Sequence, residues 1–124
     1  MRRAAIVCPV RTAVGGYGGA LREVPVEKLA AAAIRAVMER TKIDPMRIDE
    51  AIFAHGYPNA ETPCLGRYAA LEAGLPIEVP GIQTDRRCGS GLQSIVTAAM
   101  MVQTGAADVV LAGGAESMSN VEYY

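Results

Sequence analysis

The chain has no tryptophan, a single phenylalanine, a single histidine and three cysteines in 124 residues. Without large aromatics, the core volume must come from Val, Ile, Leu, Met and Ala. The thirteen glycines point the same way, toward closely packed layers. One histidine and three widely spaced cysteines (Cys8, Cys64, Cys88) leave neither a disulfide framework nor a zinc constellation. Reduced thiols in a cytoplasmic compartment follow as the expectation. Lys and Arg are scattered rather than clustered, and the net charge is −1, so the footprint of a nucleic-acid binder is missing. No apolar run reaches the ~20 residues of a membrane span. The start, Met1 to Pro9, is too short in its apolar part for a signal peptide. Apolar residues make up 51% and charged residues 20%, which excludes a disordered tail and leaves a single globular domain over 1–124.

Hydrophobic periodicity divides this domain. Ala4–Cys8 reads as a buried strand closed by Pro9, followed by a loop over 11–25. Residues 26–41 show helical spacing, with Leu29, Ala33 and Val37 beside Ala30, Ile34 and Met38. Asp44-Pro45 starts a single turn. Glu50–His55 is a second strand, and 63–73 a second helix ending at Gly74. Val79–Asp85 forms a third strand, Gly89–Thr104 a third helix closed by Gly105, and Asp108–Ala112 a fourth strand. The order βαβαβαβ predicts an α/β fold whose mostly parallel sheet is covered on both faces. The third helix is apolar nearly all round (Leu92, Ile95, Val96, Met100, Met101), interrupted by Gln93, Ser94 and Thr97. Such a helix is expected to be buried.

Cys88 carries the chemistry. It lies between the extended segment 80–85 and the third helix, in Asp85-Arg86-Arg87-Cys88-Gly89-Ser90-Gly91-Leu92-Gln93. The first turn of a helix presents unsatisfied N–H groups and the positive end of the dipole, which favour thiolate over thiol. Arg86 and Arg87 add to this if their side chains point at the sulfur. Gly89 and Gly91 let a substrate approach. In α/β sheets, functional loops gather at the carboxyl ends of strands, and both Cys88 and the 113–119 loop lie there.

Other signals carry bland readings. Cys8 and Cys64 are structural. Gly15-Gly16-Tyr17-Gly18-Gly19 lacks the spacing of a phosphate cradle and reads as a flexible loop. His55 is a capping or hydrogen-bonding residue, Glu116 an acceptor of backbone N–H groups, and Arg67 part of a solvated helix face.

Three stretches resemble the amino-terminal part of a thiolase. Ile6-Val7 through Arg11-Thr12-Ala13 to Gly18-Gly19 is similar to the family's opening strand and Arg-Thr-Pro…Gly-Gly loop, with Ala13 where proline is usual. Cys88-Gly89-Ser90-Gly91-Leu92-Gln93 is similar to its nucleophile motif, and Gly113-Gly114-Ala115-Glu116-Ser117-Met118-Ser119 to its Gly-Gly-x-Glu-x-Met-Ser loop. The resemblance implies a thiolase-like layered α/β fold, and an acyltransferase in which Cys88 is the acyl-accepting nucleophile. It implies coenzyme A and acyl-CoA as substrates, with no tightly bound cofactor. The family's Gly-His-Pro histidine, Asn-Glu segment and Cys-x-Gly cysteine belong beyond residue 124, so the 124-residue chain alone is expected to be inactive. A complementary carboxy-terminal segment or subunit is therefore the expected partner. The strand Gly81–Asp85 is the expected contact in a homo-oligomer. Two rivals are a ketosynthase-type condensing subunit and a non-catalytic scaffold on the same fold.

Overall fold

A computed structural model describes residues 1–123. Helix α1 (Val26–Thr41) is followed by a short 3-10 turn (Pro45–Arg47) and strand β1 (Glu50–Ala54). Then come helix α2 (Leu65–Glu72), strand β2 (Gly81–Thr84), a 3-10 turn (Arg87–Gly89) and helix α3 (Ser90–Thr104). Strand β3 (Val110–Gly114) and a last 3-10 turn (Met118–Asn120) complete the described residues. The sheet runs β2-β1-β3, and both pairings are parallel.

The stops foreseen from glycine hold. Gly74 and Gly105 adopt positive φ, 86° and 80°, just beyond α2 and α3. Lys42 ends α1 in the same left-handed conformation, its N–H returning to the Met38 carbonyl at 3.0 Å.

Alternation along β1 sorts the layers. Ala51 and Phe53 join Val26, Ala30, Ile34, Leu65 and Ala69 in one core beneath α1 and α2. Ile52 and Ala54 point the other way, in register with Ile82 and Thr84. Thr84 Oγ1 lies 2.9 Å from Ser94 Oγ, so α3 covers that second face. Each fully buried Ile, Leu or Val contributes roughly 1.5–3 kcal/mol.

Helix α2 reaches the sheet through glycine. A Cβ on Gly66 would lie 2.5 Å from the Ala51 carbonyl oxygen and closer still to that of Ile82. Arg67 beside it is half-buried, and its guanidinium donates to the carbonyls of Ile77 (3.0 Å) and Val79. It therefore staples the loop leading into β2 and does not belong to a solvated face, as the sequence had implied.

Three further expectations change. First, Ala4–Cys8 does not join the sheet: Ile6 and Val7 are 76% and 70% exposed, and Cys8 has φ 54°. Among the described residues, hydrogen bonds tie this stretch to the body at Arg2, through its N–H to the Gln103 carbonyl (3.2 Å) and its ion pair with Asp108. An apolar cavity of about 1330 Å³ separates the segment from β3, with Ile6, Val7, Ile34, Ile95 and Leu111 among its walls. An apolar run becomes a strand only when an edge lies within hydrogen-bonding reach.

Second, α3 buries its small polar stripe. Ser90, Ser94 and Ala98 face the sheet, while Leu92 (69%), Val96 (42%) and Met100 (57%) stand exposed. Small side chains let the helix approach closely, and Ser94 satisfies its hydroxyl on Thr84 and on the Ser90 carbonyl (3.1 Å). Third, β3 extends two residues further than the sequence indicates and takes in Gly113 and Gly114, which pair with Phe53 and Ala54. A Cβ on Gly113 would come within 2.9 Å of the Phe53 ring.

Asp49 locks the start of the sheet. Its carboxylate accepts the N–H groups of Val109 (3.0 Å) and Asp108 (2.7 Å). Those two bonds, that of Val109 first, hold its carboxyl below the ordinary value of 3.8. A depressed folded value means stability that is complete above 3.8 and is lost as the pH falls through and below it. Urea titrations at about pH 5 and about pH 3 should therefore show a smaller loss for Asp49→Asn than for the parent chain. An equal loss in the two proteins would remove Asp49 from this role.

Candidate active site

Three loops meet at the carboxyl ends of the strands: His55–Tyr57 after β1, Asp85–Cys88 after β2 and Ala115–Glu116 after β3. Glu116 joins the first to the third. Its Oε2 accepts the Gly56 N–H at 3.0 Å and its Oε1 the Tyr57 N–H at 2.8 Å. This is the acceptor role anticipated for it. His55 is buried at 1% exposure, with Nε2 3.5 Å from Glu116 Oε1. Its Nδ1 has no hydrogen-bond partner among the described residues.

Arg87 joins the first loop to the second. Its guanidinium donates to the Gly56 carbonyl at 2.5 Å, pairs with the Asp85 carboxylate and lies over the Tyr57 ring, 5.6 Å from the centroid. Arg86 turns away to Gln93 Oε1. The hydrogen bonds of the two guanidinium groups thus go to Asp85, Gly56 and Gln93.

Cys88 itself is exposed, in the middle of the 3-10 turn that feeds α3. The turn is built by Ser90, which is 2% exposed. Ser90 Oγ accepts the Arg86 N–H at 2.5 Å and donates to the Arg87 carbonyl at 2.7 Å. Asp85 Oδ1 accepts the Arg87 N–H at 3.0 Å. That bond, followed by the guanidinium charge, holds the Asp85 carboxyl below its usual range. Between these two anchors Arg87 is left-handed, at φ 49°. For a residue with a Cβ this costs about 1–2 kcal/mol.

Ser90, Asp85 and the clamp of Arg87 were not singled out from sequence. The one available signal was a serine and an aspartate flanking a cysteine at a strand-to-helix junction, where short polar side chains cap turns. The remaining cysteines stay apart. Cys64 precedes α2 and donates to the Gly81 carbonyl at 3.4 Å, while Cys8 lies in the detached amino-terminal segment. The glycine loop is anchored on the segment after β3, with the Gly18 N–H donating to Ser119 Oγ at 2.9 Å. Among the described residues no helix is long and apolar enough to cross a membrane.

Residues 4–124 match the family model described as thiolase, N-terminal domain. The chain is 38% identical over 123 residues to acetyl-CoA acetyltransferase of Pseudomonas aeruginosa, covering 99% of this chain and 31% of that protein. It is 41% identical over 124 residues to a steroid 3-ketoacyl-CoA thiolase of Mycobacterium tuberculosis, covering 98% of this chain and 30% of the other. The crystal structure of Bacillus anthracis acetyl-CoA acetyltransferase superposes with a TM-score of 0.85 at 39% identity, over 89% of this chain and 28% of that one. The chain thus spans about a third of the length of the curated relatives it matches. With the family model matching nearly the whole chain and the fold in agreement, the chain belongs to the thiolase family, as an N-terminal domain.

Proposed function

We propose that this chain supplies the nucleophilic half of an acyl-CoA acyltransferase. The observation that carries the proposal is the exposed thiol of Cys88, held on a turn at the carboxyl end of β2 in a thiolase-family domain. Cys88 Sγ attacks the thioester carbonyl carbon of an acyl-CoA. The bond from that carbon to the CoA sulfur breaks, CoA leaves with the electron pair and takes up a proton, and an S-acyl cysteine remains. The N–H of Cys88, at the entrance to α3, is one donor to the oxyanion that forms on the way. In the condensing direction, a second acyl-CoA deprotonated at its α-carbon takes the acyl group and gives a 3-oxoacyl-CoA. In the degradative direction, CoA thiolysis cleaves that product. Acyl-CoA and CoA are substrates, and no resident cofactor takes part.

The base that takes the thiol proton belongs to a complementary carboxy-terminal segment or subunit. The exposed side chains Leu92, Val96 and Met100 of α3, and the cavity beside the amino-terminal segment, give that portion apolar surface to cover. The free edge of β2, where Ile82 is 41% exposed, is the contact through which Gly81–Asp85 would pair with a second copy.

The test is complementation. This polypeptide alone should show negligible thiolysis of 3-oxoacyl-CoA, and activity should appear when a carboxy-terminal thiolase portion is added. Full activity of the chain alone would overturn the division of labour. Labelling of the peptide containing Cys88 by a radioactive acyl-CoA in the mixture, read by mass spectrometry, tests the intermediate itself.

A further inference from the structure

We propose that Arg87 is a positioning residue for Cys88: its guanidinium ties Asp85 to the Gly56 carbonyl and so holds the left-handed turn that presents the thiol. The proposal rests on the reading of Cys88 as nucleophile and adds a residue to it. At φ 49° the position suits glycine, which would adopt that backbone without strain. An arginine stands there instead, bonded through its backbone N–H, its carbonyl and its guanidinium. Its N–H goes to Asp85 Oδ1 (3.0 Å), and its carbonyl accepts Ser90 Oγ (2.7 Å). Its guanidinium reaches Asp85, the Gly56 carbonyl (2.5 Å) and the face of Tyr57.

The clamp extends beyond the turn. Gly56 and Tyr57, which receive the guanidinium, are themselves held through their N–H groups by Glu116. Bonds therefore run from the end of β3, through the end of β1, to the residue before Cys88. Beside the Ser90 and Asp85 bonds that build the turn, this side chain ties it to the end of β1. The bonds to the Asp85 carboxylate and the Gly56 carbonyl both leave one guanidinium nitrogen, Nη1, which carries two N–H donors in directions fixed by the planar group, whereas a lysine ammonium is a freely rotating point charge. The rival role is that of a substrate contact, since Arg87 is 62% exposed and an acyl-CoA is anionic.

The two roles separate in the kinetics of the chain joined with its complementary portion. For a positioning residue, Arg87→Ala and Arg87→Gly should both lower kcat about 10- to 100-fold, with KM for acyl-CoA and CoA within about twofold. The glycine variant matters because it removes the backbone strain and leaves only the loss of the clamp. Arg87→Lys should recover only a small part of that loss, about twofold to threefold over the alanine variant, because a point ammonium does not reproduce the fixed donor directions. In the unliganded chain, amide exchange at Arg87 and Gly89 should quicken by about tenfold or more in the alanine and glycine variants.

A raised KM with unchanged kcat would overturn the proposal and make Arg87 a substrate contact. Unchanged kinetics and unchanged exchange would overturn it as well. If a Cys88→Ala control kept its activity, the nucleophile assignment would fall instead, and the exchange measurement, which needs no substrate, would still decide the clamp.

Discussion

Cys88→Ala, introduced into the chain and assayed with its complementary portion, is expected to lower acyl transfer by at least about a thousandfold, or ~4 kcal/mol of transition-state stabilisation. The magnitude follows from what remains. Substrate binding and the oxyanion donors stay in place, but no sulfur is left to divide the reaction into two easier steps. KM for CoA should change little, because the thiol is lost from the reacting centre and not from the surface that holds the substrate. Initial rates of thiolysis measure the loss. Mass spectrometry should find the acyl group on the peptide containing residue 88 in the parent chain and nowhere in the variant. Cys8 and Cys64 serve as internal controls, since one lies in the detached amino-terminal segment and the other is engaged with the Gly81 carbonyl. Activity that survived the substitution would sink the assignment. An acyl group accepted only from a carrier protein and never from CoA would shift the reading to a ketosynthase-type subunit.

Gly66→Ala should be among the most damaging single-methyl changes to stability, together with Gly81→Ala, whose Cβ would lie 2.2 Å from the Arg67 backbone nitrogen. The new Cβ at residue 66 would meet two backbone carbonyl oxygens, of Ala51 and Ile82, rather than the yielding end of a side chain. Either α2 lifts off the sheet or β1 and β2 separate, and overpacking of this kind costs about 1–3 kcal/mol, occasionally more. Alanine returns about 1 kcal/mol through its better helix propensity. With two rigid oxygens in the way, a net loss of about 2 kcal/mol is expected, a large fraction of the roughly 5–15 kcal/mol that holds a domain together. Gly16→Ala is the control: its Cβ meets nothing within 4 Å, and its stability should stay within about 0.5 kcal/mol of the parent. Urea denaturation followed by far-ultraviolet circular dichroism compares the pair. A Gly66→Ala midpoint equal to that of the control would show that α2 has room the geometry denies.

Much of this architecture is legible in the sequence. Helix α1 runs over Val26–Thr41, as its spacing indicates, and β1 and β2 fall within the segments read as strands. Gly74 and Gly105 stand where helices stop. Those features are local, decided by spacing and by the φ that glycine permits. The misreadings share one cause. Ala4–Cys8 and the large side chains of α3 were read as buried because they are apolar, yet burial requires a partner surface. Among the described residues, α3 takes its partner surface through Ser90, Ser94 and Ala98. The stripe that looked like polar interruption is the one that lets the helix touch the sheet.

The site divides in the same way. Sequence alone determined that a cysteine stands at a strand-to-helix junction and that an acid follows a glycine pair at the end of a later strand. That Glu116 grips the N–H groups of Gly56 and Tyr57, and that Arg87 is left-handed and bonded to the Gly56 carbonyl, was decided by tertiary structure alone. The physical reason is the strand order. With β1 between β2 and β3, the loops that follow all three strands are neighbours, and residues 31 and 60 positions apart become hydrogen-bond partners. Nothing in the local chemistry of Arg87 or Glu116 specifies those distant partners.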